Sequence, residues 1–466
     1  MALRVKRTDI NDAQAYFIRS HLYFQPKQSF LSERYGQQAK NPVLFYLVRD
    51  GDVFLPLTFG RAFTQTFSNR DYPPTSFDFT GELFSHQVPV AEEALSQLLS
   101  RGTTTIGLYP GFGKTVIGAY LSSHLKLKVA VLYHREFLGP QWETTFKQFT
   151  NATTWIVPTG FSGTPPDVDV VLCMDTRYSS LSEEYRLHIG CLIIDEAHAF
   201  CTPSRVECLL SWEPRYAIAE TATLIRDDEM HRMIYAICGT HGIFKTLTKS
   251  FQVLHLETGL IPETKQNIRG GLDWSSLTRW FSTCEDRNKM ILSLVKNNPS
   301  HKILILTLEL KHVSLLHELL QQENESVDYF AGSRKTYSDS RVLIGTISKI
   351  GTGFDEKTSC PNFNGKRIDM LILCSSVKKA SLLEQSVGRV FRADMPIIID
   401  LVDSHDVLKR HWYERKKWYQ SRNGIISHIK MVPTSNDGIS TSTEDSIRNK
   451  NLLFLSNKIR SLKVKS

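Results

Sequence analysis

Apolar and polar residues alternate along this chain in two successive series. Between about 81 and 256, short apolar runs at 104–108, 129–132, 155–157, 168–172, 192–194 and 217–219 are separated by stretches with helical spacing. A second series between about 275 and 403 has its runs at 303–306, 327–330, 342–344, 370–373 and 397–399. Short, mostly apolar runs read as strands buried on both faces, and helical connections between them make the sheet parallel. The pattern predicts two consecutive parallel α/β domains, 80–258 and 270–403, joined by a linker around 257–269.

The flanks follow different patterns. Residues 1–79 read as a small α+β module of their own. In it two apolar segments, 43–48 and 53–57, flank Asp50-Gly51, a hairpin signal. Residues 404–466 read as a helical, basic tail. Its first helix, near 404–419, carries Val407, Leu408, His411, Trp412, Trp418 and Tyr419 on one arc, with Lys409, Arg410, Lys416 and Lys417 opposite. Residues 432–446 are rich in Ser, Thr, Asn and Asp and read as a flexible linker, followed by a basic segment with a Leu452-Leu453-Phe454-Leu455 core.

Charge changes the picture in one place. The net charge is +8, and 13 Lys/Arg against five Asp/Glu after Asp403 place all of it in the tail. A neutral body with a basic tail is expected to meet an anionic partner, and a solvated surface is the alternative. No run of about 18 apolar residues exists, so no membrane span is expected. The eight cysteines form no Cys-x-x-Cys pair, so a zinc site is not expected. They read as free thiols in a reducing, intracellular compartment.

The chemistry sits at two strand ends. Tyr109-Pro110-Gly111-Phe112-Gly113-Lys114-Thr115 follows a strand and opens a helix. Glycines let such a loop turn its N–H groups toward phosphates, and the helix N-terminus adds positive potential. Pro110, Gly111, Phe112 and Gly113 line the loop, Lys114 supplies charge to the β- and γ-phosphates, and the Thr115 hydroxyl holds Mg²⁺. Leu108 stands where the general pattern has a glycine. About 80 residues on, Leu192-Ile193-Ile194 delivers Asp195-Glu196-Ala197-His198 to the carboxyl edge of the sheet, where α/β ligands bind. Asp195 is expected to hold Mg²⁺, and Glu196 to orient and deprotonate water.

With Asp195-Glu196-Ala197-His198 in place, the chain resembles the superfamily 2 helicases of the DEAH type. The similarity runs from about 81 to 403. It implies tandem RecA-like domains that bind ATP between them and act on nucleic acid. Gln87 resembles the glutamine that reads adenine. Arg135, in Tyr133-His134-Arg135, resembles a contact to the nucleic-acid backbone. Thr221 and Thr223, in Thr221-Ala222-Thr223, resemble the motif that couples nucleotide state to strand binding. Thr346 begins a run through Gly351-Thr352-Gly353-Phe354-Asp355 that resembles the motif touching nucleic acid and ribose, with Gly353 and Asp355 on the nucleotide side. Gln385-Ser386-Val387-Gly388-Arg389-Val390-Phe391-Arg392 matches the family's Gln-x-x-Gly-Arg-x-x-Arg. Its arginines, spaced i and i+3, are expected on one helix face as arginine fingers. Thr221 to Asp228 also resembles the XPB-like group, and the layout resembles the helicases of large cytoplasmic DNA viruses, including the poxvirus helicase of transcript release.

The resemblance implies an ATP-dependent helicase or translocase with ATP and Mg²⁺ as cofactors, nucleic acid as partner (DNA before RNA), and transcription or replication proteins as further candidates. A viral member would work in the host cytoplasm or virion. Three other readings stand beside it: a duplex translocase that does not separate strands, a restriction-enzyme motor, and a non-catalytic nucleic-acid scaffold.

Overall fold

The computed structural model describes residues 1–431 apart from 28–40, 68–69, 223, 227, 247–248, 268–269, 352–353, 355 and 379. It divides after Lys245 into two compact units, each built on a seven-stranded sheet.

The first unit begins with β1 (Ala2–Lys6), β2 (Tyr23–Phe24), β3 (Val43–Leu44), β4 (Leu47–Arg49) and β5 (Asp52–Pro56). Its large sheet follows: β6 (Thr103–Leu108), β7 (Val129–Tyr133), β8 (Thr154–Ile156), β9 (Val170–Met174), β10 (Cys191–Ile194), β11 (Tyr216–Thr221) and β12 (Ile243–Lys245). The strand order is β12-β6-β11-β10-β7-β9-β8, and every pairing is parallel.

Successive side chains on a strand point to opposite faces, and the core composition follows that period. Val129, Val131, Tyr133, Cys191, Ile193 and Ile218 face one layer, with residues of the helices Val88–Arg101, Lys114–Leu125 and Leu138–Phe149. Ala130, Leu132, Leu192, Ile194, Ala217 and Ala219 face the other. That second layer holds a correction. Residues 1–79, expected as a module of their own, pack Met1, Phe24, Phe45, Leu55 and Leu57 into it. The Ala2 N–H donates to the Trp212 carbonyl at 2.7 Å. The hairpin β4–β5 itself forms as expected, with positive φ at both Asp50 and Gly51, the signature of the turn that matches strand twist.

The second unit contains β13 (Phe251–Glu257), β14 (Ile303–Thr307), β15 (Val327–Phe330), β16 (Val342–Thr346), β17 (Met370–Leu373), β18 (Ile397–Val402) and β19 (Gly424–Lys430). They lie in the order β15-β16-β14-β17-β18-β13-β19, again all parallel. The boundary at 258 is therefore corrected: β13 pairs with β18 and β19, not with the first sheet. An apolar run between two series does not reveal by sequence which sheet will take it.

The boundary at 403 shifts for the same reason. The helix Asp406–Ser421 buries Leu408, His411, Trp412, Trp418 and Tyr419, as the aromatic arc predicts, while Lys409, Arg410 and Lys417 stay exposed. Arg415, fully buried, makes a two-pronged bond to Asp400 of β18 at 2.8 Å on each side, and the Tyr419 hydroxyl donates to the same carboxylate at 2.9 Å. The chain then adds β19 to the sheet. The predicted linker and final basic segment lie outside the described residues.

Candidate nucleotide and nucleic-acid site

The phosphate loop forms where the glycines allow it. Gly111 and Gly113 take φ of 89° and 100°, values that favour glycine. Gly113 is also the residue before the helix Lys114–Leu125. A side chain there would collide with Gln87, whose Nε2 lies 2.2 Å from where a Cβ would stand. Gln87 is buried and braces the loop: its Nε2 donates to the Phe112 carbonyl and its Oε1 accepts from the Phe84 N–H, both at 2.9 Å. Lys114 Nζ rests on the Leu108 carbonyl at 3.1 Å, at the end of β6. Thr115 follows in the first helical turn.

Next to β11 in the sheet, β10 ends at Ile194 and hands Asp195 and Glu196 to the same carboxyl edge. Asp195 is buried, and its Oδ2 accepts from the Trp142 indole N–H at 3.0 Å. Burial, then the neighbouring Glu196, push its carboxyl up to about 6. Glu196 adopts a left-handed conformation with φ of 50°, uncommon for a residue with a side chain and a mark of functional turns.

A third carboxylate lies in the same cluster, at a position the sequence motifs do not mark. Glu220, at the end of β11, is fully buried, and neither oxygen has a hydrogen-bond partner among the described residues. Burial and the charge of Asp195 push its carboxyl well up, with Lys114 opposing. Gly118 makes the room: a Cβ there would sit 2.6 Å from Glu220 Oε1 and 2.8 Å from the Trp142 ring. Asp195 and Glu220 thus share the influence of the Lys114 ammonium, and the Glu196 charge pushes both carboxyls up. A divalent cation fits such an excess of buried carboxylate, with Asp195 and Thr115 as the residues to hold it.

His198 joins two motifs. Its Nδ1 lies 2.9 Å from the Thr221 hydroxyl and 3.4 Å from Glu196 Oε2. Burial pushes its imidazole pKa down, so the ring is neutral at pH 7. Arg226 Nη1 donates to the His198 carbonyl at 2.6 Å while Nε and Nη2 grip Asp228 at 2.9 and 2.8 Å. Thr223 lies outside the described residues. Arg135 is exposed just past the end of β7. The preceding His134 has its pKa lowered to about 4 by burial.

The second unit carries the remaining motifs. Thr346 closes β16 and is buried, with the Ser348 hydroxyl 3.3 Å from its own. Gly353 and Asp355 lie outside the described residues. Gln385 is on the helix Ala380–Val387, its Oε1 3.7 Å from a Cβ built on Gly351. Arg389 and Arg392 do not share a helix face. The helix stops at Val387, and the chain runs on through turns with the Val390 N–H bonded to the Val387 carbonyl and the Ala393 N–H to the Val390 carbonyl. Gly388, a poor helix former, stands where the helix ends. Arg389 then reaches back, donating to the carbonyls of Phe354 at 2.8 Å and Gly351 at 2.7 Å.

The chain is similar to known proteins over most of its length. Residues 80–226 match the family model described as type III restriction enzyme, res subunit. The chain is similar to "Putative helicase 161L" of Invertebrate iridescent virus 6, 29% identical over 422 residues, 84% of this chain and 92% of the relative. It is 23% identical over 351 residues to the transcript termination protein A18 of Fowlpox virus, 67% of this chain and 72% of the relative. Among solved structures, S. cerevisiae Dbp5 bound to RNA and ADP BeF3 superposes with a TM-score of 0.54 at 14% identity, over 78% of this chain and 93% of that one. The last likeness is one of fold.

Proposed function

We propose that this chain works as a superfamily 2 helicase, an ATP-hydrolysing enzyme that acts on nucleic acid, and that its residues divide the work as follows. The observation that carries the reading is the cluster at the carboxyl edge of the first sheet. Lys114 at the phosphate loop, Asp195 and Glu196 at the end of β10, and the His198–Thr221 contact between β10 and β11 occur together there.

Lys114 pairs with the β- and γ-phosphates, which replace the Leu108 carbonyl as its partner. Thr115 and Asp195 would hold Mg²⁺, which would supply positive charge to neutralise the phosphates. Trp142 fixes the Asp195 carboxylate by holding Oδ2. Glu196 orients the attacking water and takes its proton. Gln87 keeps the loop in shape, and its meeting the adenine is a role that rests on the family resemblance. Gly353 and Asp355 contact the nucleotide, a role that rests on the family resemblance. Arg392 supplies positive charge to the γ-phosphate in transfer. Arg389 has a positioning part, since its guanidinium holds the carbonyls on either side of 352–353.

Arg135 and Thr346 contact the strand, chiefly at phosphates, which gives affinity without sequence readout. Thr221 and Thr223 relay nucleotide state to that grip. The natural setting is transcription of a large DNA virus, a reading that rests on similarity to the transcript termination protein. The test is ATP turnover measured in parallel with no polymer, single-stranded DNA, duplex DNA and RNA, alongside a strand-displacement assay. Stimulation by polymer with displacement is the expected result, DNA ahead of RNA. Stimulation without displacement would make the chain a translocase, and turnover indifferent to every polymer would overturn the reading.

A further inference from the structure

We propose that His255, Glu257 and His428 form a binding site for one divalent transition-metal ion, Zn²⁺ being the best match, that fastens β19 to β13. The two strands are parallel neighbours, and the register sets His255 beside His428. Residues i and i+2 of a strand share a face, so Glu257 joins them. The two imidazoles meet with Nδ1 atoms 2.8 Å apart, and His428 Nε2 stands 3.8 Å from Glu257 Oε1. One donor atom of each residue lies within 4.8 Å of the others.

Ligands about 2.0–2.1 Å from a common tetrahedral zinc are spaced on the scale seen here, so small side-chain rotations suffice. The donor set is two imidazole nitrogens and a carboxylate oxygen. That set suits Zn²⁺ and its first-row neighbours and disfavours Mg²⁺ and Ca²⁺, which prefer oxygen. Three protein ligands leave a fourth position for water. The site is also graded in depth: His255 is buried, Glu257 half-buried and His428 exposed, so an ion has a route in from solvent.

His255 is held in place before any ion arrives. Its ring stacks on Trp412 at 3.8 Å between centroids and 10° between planes. The nearby Arg415 is already compensated by Asp400. Lys430 stands opposite Glu257 in the register. The cysteines take no part: seven of the eight are buried elsewhere, and Cys284 is the partly exposed one. The rival is a metal-free hydrogen bond between the two imidazoles.

The experiment uses the full chain, stripped with a chelator and then titrated with Zn²⁺ by calorimetry, with thermal melts run beside it. Mg²⁺ at millimolar concentration is present throughout to occupy the nucleotide site. Wild type should bind one Zn²⁺ with micromolar or tighter affinity and melt at higher temperature with it. His428→Ala and Glu257→Gln should keep the metal-free melting temperature, since both side chains are partly or wholly exposed. Each should weaken Zn²⁺ by more than the about 10–100-fold typical of losing an outer-shell partner. A stripped wild type that takes up no Zn²⁺ would sink the proposal. So would variants that bind as tightly as wild type, since the ion would then be on thiols or other histidines.

Discussion

The His198 imidazole and the Thr221 hydroxyl meet at 2.9 Å, joining the turn after β10 to the end of β11. His198 also approaches Glu196 at 3.4 Å, so one ring touches both the residue assigned to water and the residue assigned to coupling. Thr221→Val keeps the shape and removes the hydroxyl. It should leave basal ATP turnover within a few-fold of wild type and reduce strand displacement by about tenfold or more, the scale of a buried hydrogen bond left half-made. His198→Ala added to it should cost little further. Additive losses in displacement would mean that the contact does not carry the coupling.

Lys114 and Glu196 should fail in different ways. Lys114→Ala should lose turnover and weaken nucleotide binding with little change in melting temperature, because Lys114 is only partly buried at the surface of the loop. Glu196→Gln should bind nucleotide as wild type does and fail to turn it over. Fluorescent-nucleotide binding beside a phosphate-release assay separates the two. A Glu196→Gln variant unable to bind nucleotide would make that residue structural.

Glu220 predicts a pH effect. Its folded carboxyl lies well above the ordinary value, so the folded chain holds the proton more tightly than the unfolded one. Stability from this group is therefore intact below the ordinary carboxyl range and falls as pH rises through the folded value. Glu220→Gln removes that loss. Urea melts from pH 5 to 8 should give a flatter profile than wild type, with stability at pH 7 equal or higher. A less stable variant with the wild-type profile would show an ionised, well-compensated Glu220.

The two arginines after the helix Ala380–Val387 should separate cleanly. Arg392→Ala should cut turnover by about 10³–10⁵-fold with nucleotide affinity little changed. Arg389→Ala removes two bonds to backbone carbonyls. It should lower the melting temperature and cost far less turnover at saturating nucleotide than Arg392→Ala does. Equal turnover losses by both would argue against the division of roles.

The basic side of the helix Asp406–Ser421 should matter for strand binding alone. Replacing Lys409, Arg410, Lys416 and Lys417 together should weaken binding to all sequences alike. The salt dependence should flatten by up to roughly 0.9 in log–log slope for each duplex phosphate that the four side chains no longer neutralise. Turnover without polymer should hold. An unchanged salt slope would move the tail to an acidic protein partner.

The phosphate loop and the Asp195-Glu196 pair were legible in the sequence because their chemistry is local: glycines, a lysine and a hydroxyl within seven residues, and two carboxylates after an apolar run. What escaped is non-local. Trp142 reaches Asp195 across 53 positions, and only folding brings the indole N–H there. Glu220 sits one residue past an apolar strand run, where composition gives no sign that Gly118 has cleared a space for it. The period of 2 on β7, β10 and β11 told which residues were core but not which sheet would take β13. The arginine spacing suggested a helix face, and Gly388 stood inside the motif as the sign that the helix ends first.

Because β19 closes the sheet beside β13, the second unit joins chain segments made far apart in time. His255 and His428 are separated by 173 residues. At ribosomal speeds of about 5–20 residues per second, β13 waits roughly nine to thirty-five seconds for its outer neighbour. For most of that interval β18, which ends at Val402, is not yet made either, so an apolar strand lacks hydrogen-bond partners on both sides, the kind of template that invites pairing between nascent chains. A message truncated after codon 403 would make this interval permanent, and its product would be prone to aggregation even with every helicase motif translated.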